Sequence, residues 1–226
     1  MTVPDYGSGL PSEYRGKASL DIKDLGIKSL FRMIILGPSF SGKNNLVFHI
    51  LKHSPNVFVH LHIIARNPDQ EIYNYLRDKL SGFITIYDPN DPPRVDQVRK
   101  SKTSDGIELV IIDDYSNDKN LQNNIFSHYF TRGRHFKLST IFLSHSYFAT
   151  VKMIRLNSEY VAILKANSKR DLQMVVRDFN IEGVDDHIMM KAYNGATSSK
   201  GQALLVDSIR QELRNNFDKV INLSDL

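Results

Sequence analysis

The sequence contains no cysteine. Disulfides, thiolate zinc sites, iron–sulfur clusters and a cysteine nucleophile are thereby excluded, and a reducing compartment is the natural setting. Long apolar runs are missing as well. The longest aliphatic stretches, residues 33–36 and 109–112, are four residues long, whereas a membrane-spanning helix needs about 20. The N-terminus lacks the basic-then-apolar pattern of a secretory signal. These absences predict a soluble, non-secreted globular protein with no membrane span. Its 226 residues suffice to bury about 72% of the unfolded chain's surface, so the core needs no covalent staples.

Charge is balanced in total and uneven in place. The chain has 29 Lys and Arg against 25 Asp and Glu, a net of +4. Residues 131–180 hold nine basic and three acidic residues, a local +6, which leaves −2 for the rest. A concentrated basic segment suits contact with phosphates or nucleic acid. The same charges also serve an ordinary solvated face.

Residues 1–20 carry Pro4, Gly7, Gly9, Pro11 and Gly16 among few periodic apolar residues, the composition of an extended N-terminal arm. From Ser29 onward short apolar runs alternate with amphipathic stretches. Strands are predicted over 30–36, 57–65, 83–87, 109–112 and 138–144, and helices over 43–53, 69–80, 95–100 and 120–130. Several strand runs are continuously apolar, as expected where both faces are covered. The three prolines in 88–93 make that stretch a loop. A strand at 160–166, a helix at 168–179 and a short strand at 203–206 follow. The spacing of Leu213, Phe217, Val220 and Ile221 predicts a final helix packed on its own domain. No linker or repeat interrupts 21–226, which reads as one α/β domain with a mainly parallel central sheet flanked by helices.

The first strong strand runs into Gly37-Pro38-Ser39-Phe40-Ser41-Gly42-Lys43-Asn44-Asn45, and a helix follows. This is G-x-x-x-x-G-K between a buried strand and a helix, the setting in which the motif binds phosphate. Gly37 and Gly42 let the backbone wrap an anion. Loop amides and the helix N-terminus supply donors, and Lys43 reaches the β and γ phosphates. The residue after the lysine is usually Ser or Thr, whose hydroxyl binds Mg²⁺; here it is Asn44, whose amide oxygen is also a hard ligand.

Four aliphatic residues end in Asp113 and Asp114. A buried strand delivering a carboxylate beside a phosphate loop assigns Asp113 to Mg²⁺ and Asp114 to orienting or deprotonating the attacking water. Residues 139–146, Ser-Thr-Ile-Phe-Leu-Ser-His-Ser, place His145 at the end of the next strand, where it can sense the γ-phosphate. Arg132, Arg134 and Arg155 are candidates to reach a neighbouring subunit's γ-phosphate. His49 with His53, and His60 with His62, lack the carboxylate pattern of a metal site. The guanine-reading Asn-Lys-x-Asp motif is absent, which favours ATP.

Taken in order, Gly37 to Asn44, Leu109 to Asp114, Arg132 to His135, and Ser139 to Phe148 followed by Met153-Ile154-Arg155 resemble the viral genome-packaging ATPases of the FtsK–HerA superfamily, in its poxvirus-type branch. The resemblance spans residues 31–179. It implies a RecA-like P-loop NTPase fold, ATP and Mg²⁺ as cofactors, and a homo-oligomeric ring with an arginine acting between subunits. It further implies double-stranded DNA as partner, driven into a preformed capsid through contact with capsid vertex proteins. The place of action would be the virus assembly site in the host cytoplasm, with carriage in the virion a further location. The family usually has Gln or Asn at the position of His145.

The residues alone leave two other readings open. Asn44 suits a non-hydrolysing, nucleotide-binding assembly scaffold. Arg94, Arg99, Lys100 and Lys102 in the 88–103 loop suit the basic lid of a P-loop small-molecule kinase.

Overall fold

The computed structural model describes residues 20–101, 106–165 and 168–226; of the expected N-terminal arm only Leu20 falls among them. A hairpin of β1 (Asp21–Ile22) and β2 (Ile27–Lys28) comes first. It is followed by β3 (Arg32–Leu36), β4 (Phe58–Ala65), β5 (Ile84–Ile86), β6 (Ile107–Asp113), β7 (Leu138–Ser144), β8 (Tyr160–Leu164), β9 (Ala203–Asp207), β10 (Glu212–Asn215) and β11 (Lys219–Val220). The helices are α1 (Lys43–Lys52), α2 (Glu71–Lys79), α3 (Val95–Val98), α4 (Lys119–Leu121), α5 (Ser127–Arg132), α6 (Lys152–Arg155), α7 (Lys169–Phe179) and α8 (Asp186–Ala196).

Nine strands form one sheet in the order β11-β10-β9-β8-β3-β7-β6-β4-β5. From β8 to β5 every pairing is parallel, and from β8 to β11 every pairing is antiparallel. The continuous apolar runs are explained by burial on both faces. In β3, Ile34 and Leu36 join one apolar cluster while Met33 and Ile35 join the other; in β6, Val110 and Ile112 divide from Leu109 and Ile111 in the same way. Each such side chain contributes about 1.5–3 kcal/mol by leaving water. Helices α1 and α2 and the β1–β2 hairpin cover one face; α3, α5, α7 and α8 cover the other.

Two segments depart from the sequence expectation. The predicted C-terminal helix is the β10–β11 hairpin. Its apolar residues have helical spacing, but they do not form one stripe: Leu213 lies in the cluster on one face of the sheet and Phe217 in the cluster on the other. Asn216 turns the chain with φ +55°. The predicted helix over 120–130 is broken into α4, a π-helical turn at Gln122–Phe126 and α5. Helix α8 was legible and missed: Asp185 caps it by accepting from Ile188 N at 2.8 Å, and Met189, Ala192, Tyr193 and Ala196 form its buried face. No helix among the described residues is long and apolar enough to cross a membrane.

Candidate nucleotide site

Register fixes the site. Leu36 pairs with Ser144 and Asp113 with Leu143, so β3, β7 and β6 end level and deliver the phosphate loop, His145 and the two aspartates to one end of the sheet. They line a cavity of about 440 Å³ with Pro38, Ser39, Phe40, Gly42, Asn44 and Asn45. Helix α1 begins at Lys43, behind Gly42 at φ +106°, a conformation that favours glycine. A side chain at Gly37 would collide with Ser41 Oγ. That hydroxyl is buried in the loop and has no hydrogen-bond partner among the described residues, a donor suited to an anion held by the loop. Phe40 stands at the loop's apex, 94% exposed, with φ +63°.

Lys43 Nζ donates to Gly37 O at 2.6 Å and Pro38 O at 3.0 Å, and lies 3.5 Å from His145 Nδ1. Burial pulls its pKa below the ordinary lysine value, opposed by the charges of Asp113 and Asp114. Asp113 is buried and accepts from Tyr73 Oη at 2.7 Å and Gln70 Nε2 at 3.3 Å, both on Oδ2. Burial raises its pKa; the two donors and Lys43 act against the rise. Asp114 is exposed, has φ +63°, and its Oδ1 lies 3.3 Å from His145 Nε2.

A polar network holds the loops behind these groups. Ser116 Oγ donates to Ser144 Oγ at 3.0 Å and accepts from His145 N at 3.3 Å. Fully buried Gln122 donates to Tyr115 O and Ser116 O and accepts from Val151 N at 2.8 Å, joining the loop after β6 to the loop after β7. Asp171 at the start of α7 accepts from Ser146 Oγ at 3.0 Å and Phe148 N at 2.8 Å.

The arginines do not join this cluster. Arg132 and Arg134 are exposed and precede β7, at the end of the sheet opposite the phosphate loop. Arg155 pairs with Asp178 at 2.8 Å and covers the Tyr147 ring, a packed position rather than a free one. Among the described basic residues of the 88–103 loop, none lines the cavity.

Sequence reasoning missed three residues of the site. Gln70 and Tyr73, at the start of α2, reach Asp113 from a neighbouring strand's connection. Lys200, in the turn between α8 and β9, brings a further cation to the cavity. Only tertiary approach joins these elements, so no local motif marks them.

A phosphate loop after β3, an acidic pair after β6 and a strand inserted between the two define a P-loop NTPase. The family described as Poxvirus A32 protein matches residues 91–219; the match covers more than half of the sequence, and the chain belongs to that family. The packaging-ATPase resemblance is thus borne out. No curated protein sequence matches significantly.

Among solved structures, the chain is similar to the genome packaging NTPase B204 from Sulfolobus turreted icosahedral virus 2. In complex with AMPPCP the TM-score is 0.60 at 14% identity, covering 83% of this chain and 97% of that one. In complex with ATP-gammaS it is 0.61 at 13%, covering 86% and 100%. EssC (ATPases 2 and 3) from Geobacillus thermodenitrificans gives 0.52 at 10%, covering 84% of this chain and 38% of that one. At these identities the likeness is one of fold.

Proposed function

We propose that this chain is an ATP-driven motor that packages double-stranded viral DNA into a preformed capsid. It works as a homo-oligomeric ring with capsid vertex proteins as partners, at the virus assembly site in the host cytoplasm, with residues 21–226 as its ATPase domain. The observation that carries the reading is the convergence of Lys43, Asp113, Asp114 and His145 on one cavity behind a glycine-bounded phosphate loop.

Lys43 and the loop amides bind and orient the triphosphate. Asp114 stands where it can hold and deprotonate a water, and His145, touching both Lys43 and Asp114, can hydrogen-bond the γ-phosphate. The donor set fits Mg²⁺: Asp113 and Asn44 offer hard oxygens, and this ion takes one or two protein ligands alongside nucleotide phosphates. When bound, Mg²⁺ neutralises charge on the β and γ phosphates. Arg132 and Arg134, remote from the chain's own cavity, serve a neighbouring subunit. The basic 131–180 segment supplies sequence-independent contacts to duplex phosphates.

The test is ATP hydrolysis with and without linear duplex DNA, across protein concentrations that span assembly. Turnover that rises with DNA and concentration and vanishes in Lys43→Ala is the expected result. Unchanged turnover in both Lys43→Ala and Asp113→Ala would overturn the reading. Absence of turnover in the wild type, with recovery in Asn44→Thr, would replace it with a nucleotide-binding scaffold.

A further inference from the structure

The side chain of Gln70 does not serve the helix it precedes. It occupies the N-cap of α2, where Ser, Thr, Asp or Asn usually accepts a backbone bond, yet it makes no such bond. It turns into the nucleotide cavity instead. Nε2 donates to Asp113 Oδ2 at 3.3 Å and to Asn67 O at 3.1 Å, and Oε1 accepts from Asn44 Nδ2 at 2.9 Å.

The polarity of this chain is fixed from one end. A carboxylate and a backbone carbonyl only accept, so Gln70 must turn Nε2 toward them. Its Oε1 then faces Asn44, which must answer with Nδ2. Oδ1 of Asn44 is the atom left over, on a residue that lines the cavity next to Lys43.

We propose that Gln70 is a positioning residue: by holding Nδ2 of Asn44 it presents Oδ1 of Asn44 as an oxygen ligand to the cation that accompanies the nucleotide. This rests on the Mg²⁺-ATP reading above. A serine or threonine hydroxyl at this position needs no such partner, because its oxygen can accept whichever way the hydrogen points. An amide has two unlike ends. Turned over, it would aim an N–H donor at a cation, so it serves as a ligand only when something fixes its orientation. The amide of Gln70 does this, and the same side chain also donates to Asp113. Asp113 keeps the shorter bond from Tyr73 Oη, 2.7 Å on the same oxygen, so the orienting role falls on Asn44, which explains how asparagine can stand where a hydroxyl is customary.

Mn²⁺ is the probe, titrated by electron paramagnetic resonance into protein carrying a non-hydrolysable ATP analogue. Gln70→Met keeps the bulk and removes both amide functions. It is expected to weaken Mn²⁺ binding roughly tenfold or more, the usual effect of losing a ligand's orienting partner. Analogue binding in the presence of EDTA should stay within about twofold of wild type. In an Asn44→Thr background the same substitution should change Mn²⁺ affinity by less than about twofold, because Gln70 and Asn44 are in contact and act on the cation as a coupled pair. Equal losses in the two backgrounds would place the effect on Asp113 or on packing and overturn the proposal, as would no loss in either. Failure of the wild type to bind the analogue at all would overturn the Mg²⁺-ATP reading, and this proposal with it.

Discussion

Nδ1 of His145 lies 3.5 Å from Nζ of Lys43, so the end of β7 touches the residue that opens α1. An ammonium only donates, so Nδ1 accepts and Nε2–H points to Asp114 Oδ1, 3.3 Å away. The imidazole thereby links Lys43 to Asp114, the residues proposed to bind the phosphates and to hold the water. His145→Ala is expected to lower kcat by roughly 10²–10³, the range for loss of one polar group at a developing oxyanion. His145→Gln, which keeps a donor and an acceptor, should lose less. Steady-state hydrolysis decides this; equal loss in both variants would show that a hydrogen-bond donor and acceptor at this position do not carry the effect.

Lys200 lines the cavity from the α8–β9 turn. Its charge is exposed and screened, so Lys200→Ala should weaken ATP binding only roughly three- to tenfold, and Lys200→Arg should restore most of it. Fluorescent-nucleotide titration at two salt concentrations measures this. An effect absent at low salt would remove Lys200 from the site.

His62 is fully buried, with Nε2 2.7 Å from Glu108 Oε2 and Nδ1 3.1 Å from Tyr87 Oη. The carboxylate accepts from Nε2–H, and Nδ1 accepts from the tyrosine. Burial pushes the His62 pKa from 6.5 down to about 4, against the pull of Glu108. Between these values the unfolded chain binds a proton here and the folded chain does not. Stability is therefore present above about pH 6.5 and is lost as pH falls toward 4, by up to about 1.4 kcal/mol per pH unit. Urea unfolding at several pH values should show this slope flattened in His62→Gln. Parallel slopes would show that His62 does not titrate in this window.

Arg214 is 3% exposed, donates four hydrogen bonds and lies 3.5 Å from Glu212 Oε1. Nη1 donates to Leu25 O at 3.1 Å and Phe217 O at 3.0 Å, and Nη2 to Gly26 O at 3.4 Å and Asp207 Oδ2 at 3.1 Å. Arg214→Met leaves the Asp207 carboxylate buried without its counter-charge, held by Ile209 N and Arg210 N alone, at a cost of about 3–5 kcal/mol in unfolding free energy. Arg214→Met combined with Asp207→Asn should recover part of it. Chemical denaturation is the measurement, and additivity of the two losses would show the pair is not coupled.

The parts of the site legible in the sequence were those built by contiguous chemistry. The phosphate loop needs glycines at fixed spacing, and a carboxylate delivered by a buried strand leaves an aliphatic run ending in acid. Strand ends could be read because the apolar runs of β3, β6 and β7 stop where the polar cluster begins. Gln70, Tyr73 and Lys200 were illegible for the converse reason: each arrives from an element brought near by the crossovers. Asp113 shows the limit well. Its position was readable, but the Tyr73 and Gln70 donors that oppose the rise in its pKa caused by burial were not. The terminal hairpin misled because residues four apart can share a helix face or, as with Leu213 and Phe217, straddle a sheet.

The antiparallel half of the sheet leans on the phosphate loop. A side-chain carbon built on Gly42 would sit 3.3 Å from Gly201 Cα, so two backbones meet there with no side chain between them to yield. Packed backbone transmits displacement rather than absorbing it. From Gly201, β9 runs the length of the sheet to Asp207, which holds Arg214, which holds the carbonyls of the β1–β2 hairpin. A line of contacts thus runs from the phosphate loop at one end to the β1–β2 hairpin at the other. A stroke begun at the loop would be delivered there.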